Sequence, residues 1–365
     1  MIVVIAPDSF KGTLTSVEVA EALAEGWRRT RPNDELRLRP LADGGEGTLV
    51  AVATAGGWAW QTADVRDPIE RPIRARWLHS ADGTRADAEM AEASGLSRVA
   101  RAERDPLAAT SIGTGEVLRA VLDAGVLEVT LGIGGSATTD GGAGLLRGLG
   151  ARIVDGAPMS VDLDGLDPRL ADMRLTIASD VTNPLLGPTG AAATYGPQKG
   201  ASPDQVAWLD ARNARLADAL ESAVGRDERD TPGAGAAGGV GFAFLCLRDR
   251  LKALAFRPGA EVVMELTSFE AALDGADLVI TGEGRIDAQT AFGKTAAGVA
   301  RLARARAIRC LAVGGSVEPE GVAALAALGA EAIPVWPMPV PLETAMAAGK
   351  DPVIACGERL AQSLT

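Results

Sequence analysis

Residues 2–29 read IVVIAPDSFKGTLTSVEVAEALAEGWRR. The first five are apolar and β-branched apart from Ala6, which predicts a buried strand, and a loop follows. From Thr15 the apolar positions recur at helical spacing, and Thr15 with Glu18 three residues on forms a capping box, so an amphipathic helix starts there. The unit repeats at once: LRLRPLAD (36–43) reads as a strand and GEGTLVAVATAGG (45–57) as a helix. A chain that opens βαβα favours a parallel sheet. The rhythm then changes. WAWQTADV (58–65), PIRARWL (72–78) and TRADAEM (84–90) alternate over short stretches between Asp-Pro and Asp-Gly turns, which reads as an antiparallel meander entering a second lobe.

Further on, GTGEVLRAVLDAG (113–125) predicts a helix and LEVTLGI (127–133) a strand that closes on the loop GGSATTDGGAG. LTIASD (175–180) is a strand, and residues 202–224 form the longest helix. GRDERDTPGAGAAGGVG (225–241), charged and then glycine-rich, is the best candidate for a mobile internal loop. The end returns to α/β: strands at ADLVITGEG, IRCLAVGG and EAIPVW, helices at TAAGVARLARARA and VAALAALG, and a terminal helix. The expected fold class is α/β with two lobes. A parallel-sheet lobe is built from both chain ends, about 1–58 and 276–365, and a second α/β lobe of mixed sheet, about 59–275, is inserted into it, with 113–150 assignable to either.

Composition narrows the function. The 365 residues are 47% hydrophobic and 23% charged, with 36 Lys+Arg against 48 Asp+Glu, which describes a globular protein and disfavours nucleic acid as a partner. No apolar run reaches membrane length, and the N-terminus carries a five-residue apolar run without a basic leader, so the expected compartment is the cytoplasm. Cys246, Cys310 and Cys356 are widely spaced and odd in number, as reduced core thiols are. His79 is the single histidine, which removes multi-histidine metal sites and disfavours a Ser-His-Asp mechanism.

In open α/β sheets ligands gather beyond the carboxyl ends of the strands. Five such ends carry acids among glycines and small residues: Asp8, Ser9 and Lys11; Asp43 and Glu46; Ser136, Thr138 and Asp140; Asp180 and Asn183; Glu283, Arg285 and Asp287. Any one of them reads equally as a turn Asp or a helix cap. Five together describe a cleft in which carboxylates hold Mg²⁺ or accept a proton while amides receive phosphate oxygens. A protein of net charge −12 needs local positive charge to bind an anion, and Lys11, Lys199 and Lys294 all stand in glycine-rich segments (FKGT, PQKGA, FGKT). Two familiar fingerprints fail. GAGAAG (233–238) matches G-x-G-x-x-G but follows RDERDTP, which is no strand, and FGKT has Ala288 where a Walker A loop requires glycine.

Taken in order, IAPDSFKGTLTS, PLADGGEGT, EMAEASGL, RDPLAATSIGTGE, GIGGSATTDGGAG, GLDPRL, SDVTNPLLG, YGPQKGA, PGAGAAGGVGF and TGEGRIDAQTAFGKT resemble the class I bacterial glycerate kinase family, from residue 5 to about 298. The resemblance implies a flavodoxin-like lobe with a second α/β lobe of unusual topology inserted, and ATP-dependent phosphorylation of D-glycerate with Mg²⁺, favouring the 2-position. This chain departs from the family pattern in the shorter stretch VDGAPMSVDLD and in Ser179 where cysteine is frequent, and the proline-rich EAIPVWPMPVPLE matches least.

For phosphoryl transfer the expected roles are as follows. Lys11 or Lys294 contacts the transferring phosphate, and Asp180 and Asp287 lead as general base or metal ligand, with Asp8 behind them. Lys199 and Arg285 suit the glycerate carboxylate, and Asp8, Ser9 and Asn183 are further candidates for binding the substrate. Backbone donors for phosphate come from Gly134, Gly135, Ser136 and Thr138, and from Gly235 and Gly238. Asp43, Glu46, Asp140 and Glu283 are candidate Mg²⁺ ligands. ATP and D-glycerate are the expected small-molecule partners, with the oligomeric state left open. A dehydrogenase of hydroxy acids lacks its strand before G-x-G-x-x-G and its catalytic histidine here. A non-catalytic sugar-acid binder and a kinase for a related small hydroxy acid are the other readings, the first of which has no need of so many carboxylates.

Overall fold

In a computed structural model the protein is described over residues 1–291, 294–338 and 340–364. The chain begins with β1 (Ile2–Pro7), α1 (Ser16–Thr30), β2 (Glu35–Leu38) and α2 (Thr48–Ala55). The middle runs β3 (Trp58–Arg66), β4 (Pro72–Ser80), β5 (Arg85–Glu89), α3 (Met90–Ser94), α4 (Ile112–Asp123), β6 (Glu128–Gly132), α5 (Ala143–Gly148), β7 (Arg152–Val154), β8 (Ser160–Asp162), β9 (Arg174–Ala178), α6 (Ala191–Tyr195), α7 (Pro203–Val224), α8 (Val240–Cys246) and β10 (Ala253–Arg257). It ends with α9 (Gly259–Leu266), α10 (Phe269–Ala272), β11 (Leu278–Ile286), α11 (Lys294–Ala305), β12 (Arg309–Val317), α12 (Pro319–Ala327), β13 (Ala330–Pro334), α13 (Leu342–Ala347) and α14 (Asp351–Gln362).

Two compact units result. The first holds 1–43, 50–57 and 258–365, and the second holds 44–49 and 58–257. Residues 258–275, expected in the inserted lobe, cluster with the first unit because Val263 and Met264 of α9 and Phe269 of α10 join its core beside Val4 and Val279. Residues 44–49 cluster with the second unit instead: the Gly134 amide donates to the Gly44 carbonyl, and the Thr48 amide to Glu89.

The first unit is a five-stranded sheet in the order β13-β12-β11-β1-β2, every pair parallel. In the unit's own strand count this is 2-1-3-4-5, the flavodoxin-like order with its switch point between β1 and β11. Both faces are buried. Val3 and Ile5 lie in one core with Trp27 and Leu360, and Val4 and Ala6 in another with Phe269 and Val299, the period-2 signature of a doubly covered strand. The capping box forms as expected: the Glu18 amide donates to Thr15 Oγ1 at 3.2 Å and the Thr15 amide to Glu18 Oε2 at 2.8 Å. α1 packs on α14 through two glycines. A Cβ on Gly26 would lie 1.9 Å from the Ile354 carbonyl oxygen, and one on Gly357 would lie 2.3 Å from that of Leu23.

The second unit is a mixed sheet in the order β10-β9-β6-β5-β4-β3, with β10 to β5 parallel and β5-β4-β3 the antiparallel meander. Its core gathers Trp77, Leu118, Leu131, Ile177, Phe242 and Phe244. α7 starts on a second capping box, Ser202 with Gln205, and stops at Gly225 in the left-handed region. The segment 225–241 is a packed element rather than a free loop. Glu221 of α7 accepts the Glu228 and Arg229 amides at 2.8 Å each, and the Gly235 amide donates to the Asn183 carbonyl at 2.8 Å. Its charge run therefore docks on the end of α7, while its glycines let backbone press on backbone. Among the described residues no helix is long and apolar enough to cross a membrane.

Candidate functional site

In the first unit the switch point gathers the expected residues. β1 and β11 are hydrogen-bonded neighbours, so Asp8 after one and Glu283 in the other emerge side by side, and the Asp8 amide donates to the Gly282 carbonyl at 2.8 Å. Gly284 is small because the Phe10 Cα would stand 3.3 Å from any Cβ there. Asp8 Oδ2 accepts from the Thr295 hydroxyl at 2.8 Å and Oδ1 from the Ser9 amide at 2.6 Å. Burial and then the Asp43 charge push its carboxyl above the ordinary carboxylate range, against the pull of those two donors. Glu283 is raised as well, first by burial and then by the charges of Asp8 and Asp287, with the Thr290 hydroxyl opposing, and its Oε1 is buried without a partner among the described residues. Lys11 is exposed and stands 3.5 Å from Asp43.

Other expectations in this unit meet different surroundings. Arg285 pairs with Asp287 at 3.1 Å and with Glu318 at 2.6 Å, so its guanidinium already faces two carboxylates. Asp287 accepts the Gln289 amide at 2.8 Å and receives in its own turn the geometry of a helix cap, since its amide donates to Thr290 Oγ1 at 3.0 Å. Phe292 and Gly293 of FGKT lie outside the described residues, and Lys294 opens α11.

The second unit brings its loops together at the carboxyl ends of β6 and β9. The 134–142 loop turns at Gly135, φ +72°, and is braced on one side by the Ala137 amide donating to Ser94 and the Leu96 amide to Gly135, each at 2.9 Å. On the other side Gly238 lies against it so closely that a Cβ would fall 1.9 Å from the Thr138 carbonyl oxygen, and the Gly141 amide donates to the Gly238 carbonyl at 2.9 Å. The Gly235 amide is spent on Asn183 and the Gly134 amide on Gly44, whereas the amides of Gly135 and Ser136 have no acceptor among the described residues. Gly135 is exposed at the loop tip, a glycine in left-handed conformation after one that is not, the arrangement that forms an anion-binding concavity.

Lys199 is 3% exposed. Its Nζ donates to Ser136 Oγ at 2.9 Å and to the Thr138 carbonyl at 2.6 Å, and burial pushes its pKa down to about 7 against the pull of the Asp140 charge. Asp140 is a loop anchor. Its oxygens accept from the Ser111 amide at 2.9 Å, the Ser111 hydroxyl at 2.9 Å, the Gly142 amide at 3.1 Å and the Gly144 amide at 3.0 Å, tying α4 to α5. Asn183 is held by its neighbours, donating to the Thr189 carbonyl at 2.8 Å and accepting from the Tyr195 hydroxyl at 2.9 Å. Asp180 stands half-buried beyond β9, and Glu46 is exposed. Among the described residues no group of three or more His, Cys, Asp or Glu side chains is placed to hold a metal ion.

Sequence reasoning missed Asp87 and Glu89. They alternate with Ala86 and Ala88 of the core, a pattern that normally marks a solvated face, yet both are buried, and burial pushes each carboxyl up to about 8. Glu89 Oε1 accepts the Thr48 amide at 2.7 Å and so caps the start of α2. It missed Thr290 and Thr295 too, whose hydroxyls serve the two acids of the switch point.

The chain is similar to known proteins along its length. The Glycerate kinase family model matches residues 3–365. A glycerate kinase of Bacillus subtilis is 43% identical over 360 residues, covering 94% of this chain and 93% of that protein. A glycerate 2-kinase of Escherichia coli is 43% identical over 318 residues, covering 83% of this chain and 82% of that protein. A crystal structure from Salmonella typhimurium LT2, described as a candidate glycerate kinase 2, superposes with a TM-score of 0.83 at 41% identity, covering 100% of this chain and 98% of its own. The family match and the relatives both span nearly the whole chain, and the chain belongs to the glycerate kinase family.

Proposed function

We propose that this phosphotransferase moves the γ-phosphoryl group of ATP to the 2-hydroxyl of D-glycerate, giving 2-phospho-D-glycerate. Membership in a family of kinases with an alcohol acceptor supports the reaction class, and the name of the E. coli relative, glycerate 2-kinase, supports the position. The observation that carries the reading on this chain is the exposed turn at Gly135, where two amides and the Ser136 hydroxyl have no acceptor of their own beside a buried lysine. Three donors on a positive background suit an anionic oxygen.

The roles of the other residues follow from chemistry. Asp180, in the loop beyond β9, takes the hydroxyl proton, and Lys11, exposed and compact in charge, meets phosphate oxygens. Asp8 and Glu283 fit a hard cation: Mg²⁺ is commonly held by one or two carboxylates plus phosphate oxygens, and Glu283 Oε1 is a buried acceptor without a partner among the described residues. When bound, Mg²⁺ supplies charge neutralisation and orientation of the phosphates. The threonine hydroxyls at 290 and 295 orient the two acids, and a cation there would draw both carboxyls back toward ionisation. Asp140 keeps its anchoring role and is left out of the metal set, since its oxygens already accept four donors.

Phosphorus NMR of the protein with Mg·ATP and D-glycerate tests this. The expected result is loss of the γ-phosphate signal with appearance of 2-phosphoglycerate. Formation of 3-phosphoglycerate would refute the position, and intact ATP would refute D-glycerate as the acceptor. A panel of other small hydroxy acids then identifies a different one.

A further inference from the structure

Lys199 was expected to meet the glycerate carboxylate. Its surroundings point to a different role, because the side chain is almost wholly buried behind the 134–138 loop, with its two hydrogen bonds made to that loop. The direction of those contacts matters. In its ammonium form Nζ is only a donor, so in the 2.9 Å contact Ser136 Oγ is the acceptor. The hydroxyl proton of Ser136 is then turned away from the lysine, and it finds no acceptor among the described residues. The second contact fixes the loop's path: the Thr138 carbonyl is held by Nζ at 2.6 Å and wedged under Gly238.

We propose that Lys199 is a positioning residue that holds Ser136 as a hydrogen-bond donor toward an anionic oxygen of the substrates, while touching neither substrate itself. The proposal rests on the kinase reading for the identity of the anion, a phosphate oxygen of ATP or the carboxylate of D-glycerate. A buried lysine whose hydrogen bonds all run to one loop does two things a surface lysine does not. It aligns a neutral hydroxyl, and it adds positive potential without offering the substrate a competing ion pair.

The test compares the full-length parent with Ser136→Ala, Lys199→Met, Lys199→Arg and the Ser136→Ala/Lys199→Met double variant. Calorimetry measures binding of D-glycerate and of Mg·ATP separately, and steady-state kinetics run alongside. Losing one hydrogen bond to an anion costs about tenfold in affinity. We expect Ser136→Ala and Lys199→Met each to weaken one of the two ligands about tenfold and leave the other within twofold. The affected ligand distinguishes phosphate from carboxylate. The double variant should be no more than about twofold worse than the poorer single, because the two residues act in series. Lys199→Arg should recover part of the lost affinity, since it keeps donors and charge.

Losses that multiply in the double variant would place Lys199 on the substrate and overturn the proposal. So would unchanged binding of both ligands by Lys199→Met. If that variant does not fold, Ser136→Ala decides alone: parent-like binding of both ligands overturns the proposal, and a tenfold loss confined to one supports it. Absence of turnover by the parent would sink the kinase reading, whereas the binding results would still judge the lysine.

Discussion

Replacing Asp87 by asparagine should make the protein more stable at neutral pH, and by an amount that depends on pH in a calculable way. Asp87 is wholly buried on β5, and among the described residues neither oxygen has a hydrogen-bond partner, so burial raises its carboxyl against the pull of the neighbouring Ala88 amide. Its carboxyl is pushed up to about 8, whereas an unfolded aspartate titrates near ~3.9. Between these values the folded chain keeps a proton that the unfolded chain releases. Stability is therefore full in acid and is lost as pH rises toward about 8, at ~1.4 kcal/mol per pH unit. Asparagine has no proton to lose. Whatever fixed cost its buried amide carries, the difference between variant and parent should tilt by ~3 kcal/mol between about pH 5 and about pH 7 in favour of the variant. Glu89 keeps its own proton in both proteins across this window, since it too is pushed up to about 8. Lys199, lowered to about 7, adds stability with rising pH only above that value, which is where the window stops. Urea unfolding followed by tryptophan fluorescence reports mainly on the right unit, because Trp58, Trp60, Trp77 and Trp208 lie in it against Trp27 and Trp336 in the other. Stability curves of parent and variant that run parallel from acid to neutral pH would refute the reasoning.

Asp140→Ala leaves four donors without their acceptor and should cost ~4 kcal/mol, read as a lower midpoint in calorimetry; a loss under ~1 kcal/mol would show the anchor to be dispensable. Gly238→Ala places a methyl 1.9 Å from the Thr138 carbonyl oxygen at a φ of +72° and should cost ~3 kcal/mol or more, with parent-like melting as the contrary result. Asp180→Asn should lower kcat by about two to four powers of ten with little change in the glycerate KM, and near-normal kcat would reject it as the base. Thr15→Ala removes one half of a capping box and should cost ~1 kcal/mol in unfolding experiments, unless another group takes over the Glu18 amide.

Much of this architecture was written in local pattern. The opening βαβα, the meander from Trp58 and the return to α/β after Ala276 are each short-range signals, apolar period and turn chemistry, and they correspond to β1 to α2, β3 to β5 and β11 onward. The strand order is a different kind of fact, since β1 pairs with β11 from the far end of the chain and no local pattern states that. The packed segment 225–241 looked free because glycines and charges are shared by loops and by tight backbone contacts, and only the partners, Glu221 and Thr138, decide between them. The site acids at Asp8 and Glu283 were legible as strand-end residues. What was illegible was what surrounds each one: that Asp140 is saturated by amides, that Arg285 faces two carboxylates, and that Asp87 points into a covered face. Burial is a property of the assembled chain, so a charge in sequence carries no mark of the dielectric it will occupy.

The clasp between α1 and α14 has a consequence for the order in which the protein can be made. β1 must wait for β11, and α1 for α14, so residues 1–43 leave the ribosome before the strand and helix that cover them. The second unit, from Trp58 to Arg257, is synthesised entirely within that interval. During translation, then, the inserted unit has all its strands before the unit that surrounds it in sequence, and Gly26 and Gly357 close the molecule among its last contacts.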